Sequence, residues 1–216
     1  MATVQITING QEVAAQAGQT ILQAAREAGI DIPTLCEHPQ LEPIGACRIC
    51  LVEIEKQRAL QPACTFKISE GMVVHTESEK VVEARKFVLE LLFSERNHYC
   101  MYCQMSGGDC ELQNAAYGEG MTHWPLQPNW DPFPVDASHP HYVLDHNRCI
   151  LCRRCVRACS EINGVEAISV FYRGFSAYIG FGADSSMDNS PCEFCGSCVA
   201  VCPTAALWPK ISIGKC

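Results

Sequence analysis

The sequence predicts an α+β chain in three structured parts, and three observations carry that prediction. The chain opens with an alternating apolar hairpin pattern, one amphipathic helix and further strand-like runs. A proline-dense stretch then interrupts regular structure. Beyond it, Cys149-x2-Cys152-x2-Cys155-x3-Cys159 recurs as Cys192-x2-Cys195-x2-Cys198-x3-Cys202, residue for residue at an offset of 43. Such self-similarity marks an internal duplication. The divisions that follow are 1–77, 78–117, a connecting segment 118–140, and 141–216.

Within the first part, Val4, Ile6 and Ile8 alternate with polar residues, and residues 2–15 read as a hairpin. Asn9-Gly10 suits a type I′ turn, whose two central residues need positive φ. Thr20-Ile-Leu-Gln23 has the form of a capping box and opens a helix carrying Ile21, Leu22, Ala24, Ala25 and Ala28. Gly29 is its expected stop. The runs 51–55 and 72–75 read as further strands, which gives a mixed sheet packed on one helix. Thr76-x-x-Glu79 is expected to begin a second helix that ends near Arg96. Its buried stripe is expected at Val81, Ala84, Val88 and Leu91, reinforced by Phe87 and Leu92. A shorter helix is expected after Cys110, through residues 112–116.

The connecting segment holds Pro125, Pro128, Pro132, Pro134 and Pro140, from a total of 12 prolines. Proline fixes φ and lacks an N–H, so helix and central strand are excluded there. Trp124 and Trp130 argue against a loose linker and predict a segment packed across a neighbouring surface.

Formal net charge is −8. That excludes a nucleic-acid binder, whose phosphate partner requires a basic face. The 16 cysteines exceed ordinary usage and point to disulfides or to metal. The opening Met1-Ala2-Thr3-Val4-Gln5-Ile6 has no basic stretch followed by an apolar run and a small-residue cleavage site. The pair Arg153-Arg154 lies mid-chain. The apolar run 87–93 is interrupted by Glu90 and is too short to span a bilayer. These features predict the cytoplasm, where thiols stay reduced and free to bind metal.

Fifteen of the cysteines fall into four sets. Cys36-x10-Cys47-x2-Cys50-x13-Cys64 resembles the long-loop spacing of plant-type 2Fe–2S sites, with a first gap of ten residues where four is usual. Gly45 and Ala46 would let backbone N–H groups approach such a cluster. A four-thiolate zinc site has the same ligand count. The second set has only Cys100, Cys103 and Cys110, and His98 is the nearest fourth donor. Cys216 is the spare thiolate, and a three-iron cluster or a zinc site are the alternatives. The last two sets are the duplicated runs. In such runs the fourth cysteine serves the other cluster. One cubane is therefore expected on Cys149, Cys152, Cys155 and Cys202, and the other on Cys192, Cys195, Cys198 and Cys159. Arg153, Arg154 and Arg157 among these cysteines read as a solvated helix face. The alternative is positive charge that stabilises a reduced cluster. His38, His75, His123, His139, His141, His146 and Trp208 read as surface or packing residues.

There is no Gly-x-Gly-x-x-Gly between a strand and a helix, no Walker loop and no Cys-x3-Cys-x2-Cys triad. Four ligand sets without an evident substrate site describe a conductor of electrons with partners at both ends.

The stretches Gly45-Ala-Cys-Arg-Ile-Cys50, Glu95-Arg-Asn-His-Tyr-Cys100, Asp109-Cys-Glu-Leu-Gln113, Asp145-His-Asn-Arg-Cys-Ile-Leu-Cys152 and Pro191-Cys-Glu-Phe-Cys195 carry a family resemblance. The chain resembles the diaphorase-module iron–sulfur subunit of soluble NAD-linked nickel–iron hydrogenases. It is also similar to the N-terminal region of the large iron–sulfur subunit of respiratory complex I. NAD-linked formate dehydrogenases and iron-only hydrogenases begin similarly. The resemblance implies a β-grasp 2Fe–2S ferredoxin domain, a small helical His/Cys3 4Fe–4S domain and a two-cubane bacterial-ferredoxin-like domain. It implies one 2Fe–2S and three 4Fe–4S clusters and no active site of the chain's own. The implied partners are an NAD- and flavin-binding diaphorase subunit and a hydrogenase small subunit, and through the latter the nickel–iron large subunit. Many relatives carry histidine where this chain has Arg96 and have a gap of five before the last cysteine of the second set. Here the gap is six, which leaves His98 as the substitute donor.

Overall fold

The computed structural model describes residues 2–123, 125–127, 130–183 and 186–210. Trp124, Pro128 and Cys216 lie outside the described residues. In chain order the elements are β1 (Thr3–Ile8), β2 (Gln11–Gln16), α1 (Ile21–Glu27), β3 (Leu51–Ile54), β4 (Gln61–Pro62), β5 (Met72–His75), α2 (Glu79–Glu95) and α3 (Glu111–Gly118). They continue with β6 (Val135–Asp136), β7 (Tyr142–Asp145), α4 (Arg154–Arg157), β8 (Ile168–Phe171), β9 (Tyr178–Phe181), α5 (Ser197–Ala200) and β10 (Leu207–Pro209). The chain divides into two compact units. One comprises the residues through Glu37, Pro43–Glu90 and Ala115–Thr122; the other comprises His38–Glu42, Leu91–Asn114 and the residues from His123 onward.

The first unit is built on a five-stranded mixed sheet of order β2-β1-β5-β3-β4. The hairpin forms as its sequence dictates: Asn9 and Gly10 both have positive φ, and Ile6 faces Val13 across the ladder. β5 then pairs parallel to β1, with Ile8 beside Val74, and β3 pairs antiparallel to β5. Thr20 caps α1 by accepting from the Gln23 N–H, while the Gln23 side chain accepts from the Thr20 N–H. The helix buries Ile21, Leu22, Ala24 and Ala25 with Ile6, Ile8, Val52 and Val74 in one core. Cys50 and Cys64 belong to that same core.

α2 departs from its sequence pattern in two ways. It begins at Glu79 rather than at Thr76, whose backbone and hydroxyl are engaged by the side chain of Asn9 (2.8 and 2.7 Å). Its buried line runs through Val81, Arg85, Leu89 and Phe93, while Phe87 and Leu91 are 55% and 45% exposed. Of the expected stripe Val81 is buried, but the inward line then turns to Arg85 and away from Phe87 and Leu91. Arg85 pairs with Glu119 at 3.2 Å and donates to the Leu51 carbonyl at 2.8 Å.

In the second unit the duplicated halves interlock. β7 precedes the first cysteine run and pairs antiparallel with β10, which follows the second run. β8 follows the first run and pairs antiparallel with β9, which precedes the second. β6 adds to the free edge of β7, the position in which a proline-rich segment can join a sheet. The segment before β6 is stitched to its surroundings: Asn97 donates to the Asp131 carbonyl, Asn147 donates to the Phe133 carbonyl, and Trp130 stacks on Tyr99.

Arg85→Ala should lower the stability of the folded protein by about 3–5 kcal/mol, because it strands the buried Glu119 carboxylate. The denaturant midpoint of the purified protein measures this.

Candidate metal centres

The two duplicated runs adopt the same backbone path. Leu151 and Arg153 have φ of 52° and 60°; their counterparts 43 positions later, Phe194 and Gly196, have φ of 60° and 78°. A left-handed non-glycine residue costs roughly 1–2 kcal/mol, so three of them at matched places mark a loop held by its purpose. This path turns backbone N–H groups inward: that of Leu151 meets the Cys149 thiol, that of Arg154 meets Cys152, and that of Val199 meets Cys198. At Gly196 a Cβ would also come within 2.8 Å of the Tyr142 hydroxyl, which donates to the Phe194 carbonyl at 3.1 Å.

The interlocked strands exchange the last cysteine of each run. Cys202 leads into β10, and β10 lies on β7, which leads to Cys149. Cys159 leads towards β8, and β8 lies on β9, which leads towards Cys192. One pocket accordingly gathers Cys149, Cys152, Cys155 and Cys202 with Leu144, Ile150, Ile179 and Leu207. Another gathers Cys192, Cys195, Cys198 and Cys159 with Tyr142, Val165, Ala167 and Ile168. The Ala167 N–H donates to Cys159 Sγ at 3.2 Å. In the first pocket Cys149, Cys152 and Cys155 are buried and Cys202 is half-buried; in the second Cys195 is exposed.

A third pocket is lined by His98, Cys100, Cys103 and Cys110, together with Phe93, Leu112, Arg148 and Thr204. Phe93, at the end of α2, meets the imidazole edge-on at a centroid distance of 5.4 Å. His98 bonds to the backbone of Leu92, and its Nε2 is buried without a hydrogen-bond partner. The Leu92 bond is therefore made by Nδ1. Burial, opposed by that bond, lowers the imidazole pKa to about 4. The side chain is thus neutral, oriented from behind and left with one orphaned nitrogen, the state in which histidine ligates a metal.

In the first unit, Cys36, Cys47, Cys50 and Cys64 come together as two pairs. The Cys36 N–H donates to Cys47 Sγ at 3.3 Å, and the Cys47 N–H donates to Cys36 Sγ at 3.4 Å. Cys50 and Cys64 hydrogen-bond through their thiols. Gly45, at φ 61°, directs its N–H at Cys64. The neighbouring Glu37 is fixed by a bidentate ion pair with Arg26 of α1 at 2.5 and 2.9 Å.

Several of these thiols favour the protonated form, while a bond from Cys50 lowers Cys64. Bonds from Cys36 and Cys64, followed by burial, push Cys47 and Cys50 well up. Burial raises Cys149 to about 11 and Cys198 to about 12, with Cys152 and Cys155 raised as well. Sulfur-rich donor sets of this kind suit iron–sulfur clusters or zinc, and loading them must release protons. Among the described residues no three of His, Cys, Asp and Glu close around a single ion; the donors stand on the walls of pockets.

The expectation of a solvated arginine face is corrected. Only Arg153 is exposed. Arg154 is buried and grips Glu111 through two bonds of 2.6 and 2.7 Å, and Arg157 is buried with its guanidinium on the Glu42 carbonyl. Both partners are far away in sequence, so local charge pattern carried no sign of either bond. Arg148 and Thr204, which line the His98 pocket, also went unnoticed in the sequence. An arginine beside a cysteine has no reason to serve a different set until the fold is known.

The N-terminal part, residues 1–79, matches the family described as a 2Fe-2S iron-sulfur cluster binding domain. Residues 85–124 match the NADH-ubiquinone oxidoreductase-G iron-sulfur binding region. Residues 140–208 match the ferredoxin-like domain of NADH-quinone oxidoreductase subunit 3. These matches indicate a 2Fe–2S cluster and 4Fe–4S clusters. A subunit of the NADH-quinone oxidoreductase of Rhizobium meliloti is 39% identical over 211 residues, covering 94% of this chain and 24% of that protein. The NADP-reducing hydrogenase subunit HndD of Solidesulfovibrio fructosivorans is 38% identical, covering 96% of this chain and 36% of that protein. The chain thus spans about a quarter to a third of the length of these curated relatives. In a crystal structure of NAD+-reducing nickel–iron hydrogenase in its H2-reduced state, one chain superposes with a TM-score of 0.90 at 36% identity, covering 98% of this chain and 89% of that one. This chain belongs to the family of iron–sulfur electron-transfer subunits found in NAD-linked hydrogenases and in NADH-quinone oxidoreductase.

Proposed function

We propose that the chain is a relay subunit that carries one 2Fe–2S and three 4Fe–4S clusters and passes single electrons between an NAD- and flavin-binding subunit and a hydrogenase module. The observation that carries this reading is the gathering of each cysteine set at its own site, with the last cysteine of each duplicated run delivered to the other run's pocket. In this reading Cys36, Cys47, Cys50 and Cys64 hold the two-iron cluster in a β-grasp domain spanning 1–77, a reading supported by the mixed strand order. His98, Cys100, Cys103 and Cys110 hold the next cluster in 78–117. Residues 118–140 connect it to the two-cubane domain, 141–216.

A bound cluster accepts and releases one electron at a time. The chain's own residues do the rest. Thiolates supply charge, inward backbone N–H groups offset it, and apolar walls keep water from the metal. His98 offers a neutral donor in place of a fourth anion, which favours reduction at that site. Bond making and breaking on hydrogen or NAD falls to partner subunits. Among the described residues no helix is long and apolar enough to cross a membrane, and the proposed location is the cytoplasm. The likeness to the NADH-quinone oxidoreductase protein supports a second reading, the same relay role in a complex I-like machine; a formate dehydrogenase is the other alternative. Co-purification with a nickel–iron large subunit supports the first reading, and a molybdopterin partner would refute it.

Anaerobically purified protein should contain about fourteen iron atoms per chain, the content of one two-iron and three four-iron clusters. Zinc without acid-labile sulfide would refute the relay outright. Cys159→Ser should abolish the electron paramagnetic resonance (EPR) signal of the cluster on Cys192, Cys195 and Cys198 and spare that of its own run. His98→Cys should keep full iron while lowering the midpoint potential of one cluster, whereas His98→Ala should lose that cluster's signal.

A further inference from the structure

The backbone of Arg148 adjoins Cys149, and its carbonyl accepts from the Thr204 hydroxyl at 2.8 Å. Thr204 lines both the Cys149 pocket and the His98 pocket, so the two sites share a wall. The guanidinium does not serve its own run. It lines the pocket of His98, Cys100, Cys103 and Cys110. One Nη donates to Gln104 Oε1 at 2.5 Å and the other to the Tyr102 carbonyl at 3.4 Å, both neutral acceptors in the loop that follows Cys100. Asp145 meets the guanidinium from its Nε edge, at 3.3 Å. The anion thus sits behind the cation, and the edge turned to the loop is compensated by dipoles alone. Both side chains are only 13% exposed, so solvent screens the charge weakly.

We infer that Arg148 is a positioning residue of the His98 site: it is supplied by the neighbouring cluster loop, fixes the loop that follows Cys100, and sets that site's electron affinity with a positive charge that Asp145 offsets only in part. This rests on the relay reading above. A cation beside a cluster stabilises the reduced, more anionic form, and a neutral histidine donor acts in the same direction. The site is thereby biased to hold an electron by a residue belonging to the adjoining run.

The test is an EPR-monitored redox titration of the anaerobically purified full chain, with iron and acid-labile sulfide determined for every variant. The His98-site signal is identified by its loss in His98→Ala. Arg148→Gln should keep its iron and make that cluster about tenfold harder to reduce, a fall of about 59 mV for one electron. Arg148→Lys, which keeps the charge, should fall by less. Asp145→Asn removes the anion behind the guanidinium and should shift the same cluster upwards. An unmoved His98-site potential at full iron content overturns the inference, as does a shift confined to the Cys149 cluster. If Arg148→Gln fails to load, Asp145→Asn decides: an upward shift supports the inference and its absence overturns it. Absence of iron and sulfide from the unmodified protein would instead refute the relay reading itself.

Discussion

Burying thiols in apolar pockets is the constraint around which this fold is arranged. A thiolate removed from water is unfavourable, and several placed side by side repel one another. Protonated and unligated, such groups are small hydrophobes, and Cys50, Cys64, Cys149, Cys155, Cys159 and Cys198 belong to the hydrophobic cores. In the proposed relay the same side chains become anions to grip iron. The chain meets both demands by surrounding the sulfurs with backbone N–H groups and apolar side chains, leaving metal to supply the countercharge. The strained left-handed residues of the paired loops belong to this solution, because that path turns the amides inward.

Interlocking of the two halves follows from strand pairing. A run with its four cysteines on one short loop could supply all four corners of its own site only by folding the last residue back. Here the chain leaves each run along a strand whose antiparallel partner leads into the other run. The last cysteine is thus carried forward into the opposite pocket. Neither site is complete without both halves, which makes the duplicated region a single cooperative object.

The buried arginines bind loops that lie far apart in sequence. Arg154 fixes Glu111, beside Cys110, and also donates to the Val201 carbonyl, beside Cys202. Arg148 reaches the loop after Cys100. Charged pairs of this kind are a poor source of stability but a strict source of geometry, since a misplaced partner strands a buried charge. Cluster sites that must stand at fixed positions benefit from that strictness.

What the sequence determined by itself is whatever rests on short-range chemistry. The hairpin at Asn9-Gly10, the Thr20–Gln23 capping box, the proline-rich break and the grouping of cysteines into sets all depend on neighbours within a few residues. The nearness of His98 to the Cys100 set was also readable, because it lies two residues from the first thiol, and both line one pocket. The tertiary structure alone decided the rest. Apolar periodicity placed only part of the inner face of α2, because it cannot anticipate an arginine whose partner, Glu119, arrives from another helix's end. The arginines of the cysteine runs looked like a wet surface because their partners lie tens of residues away. Long-range partners of charged groups are set by folding, and only the folded chain reveals which charge faces which sulfur.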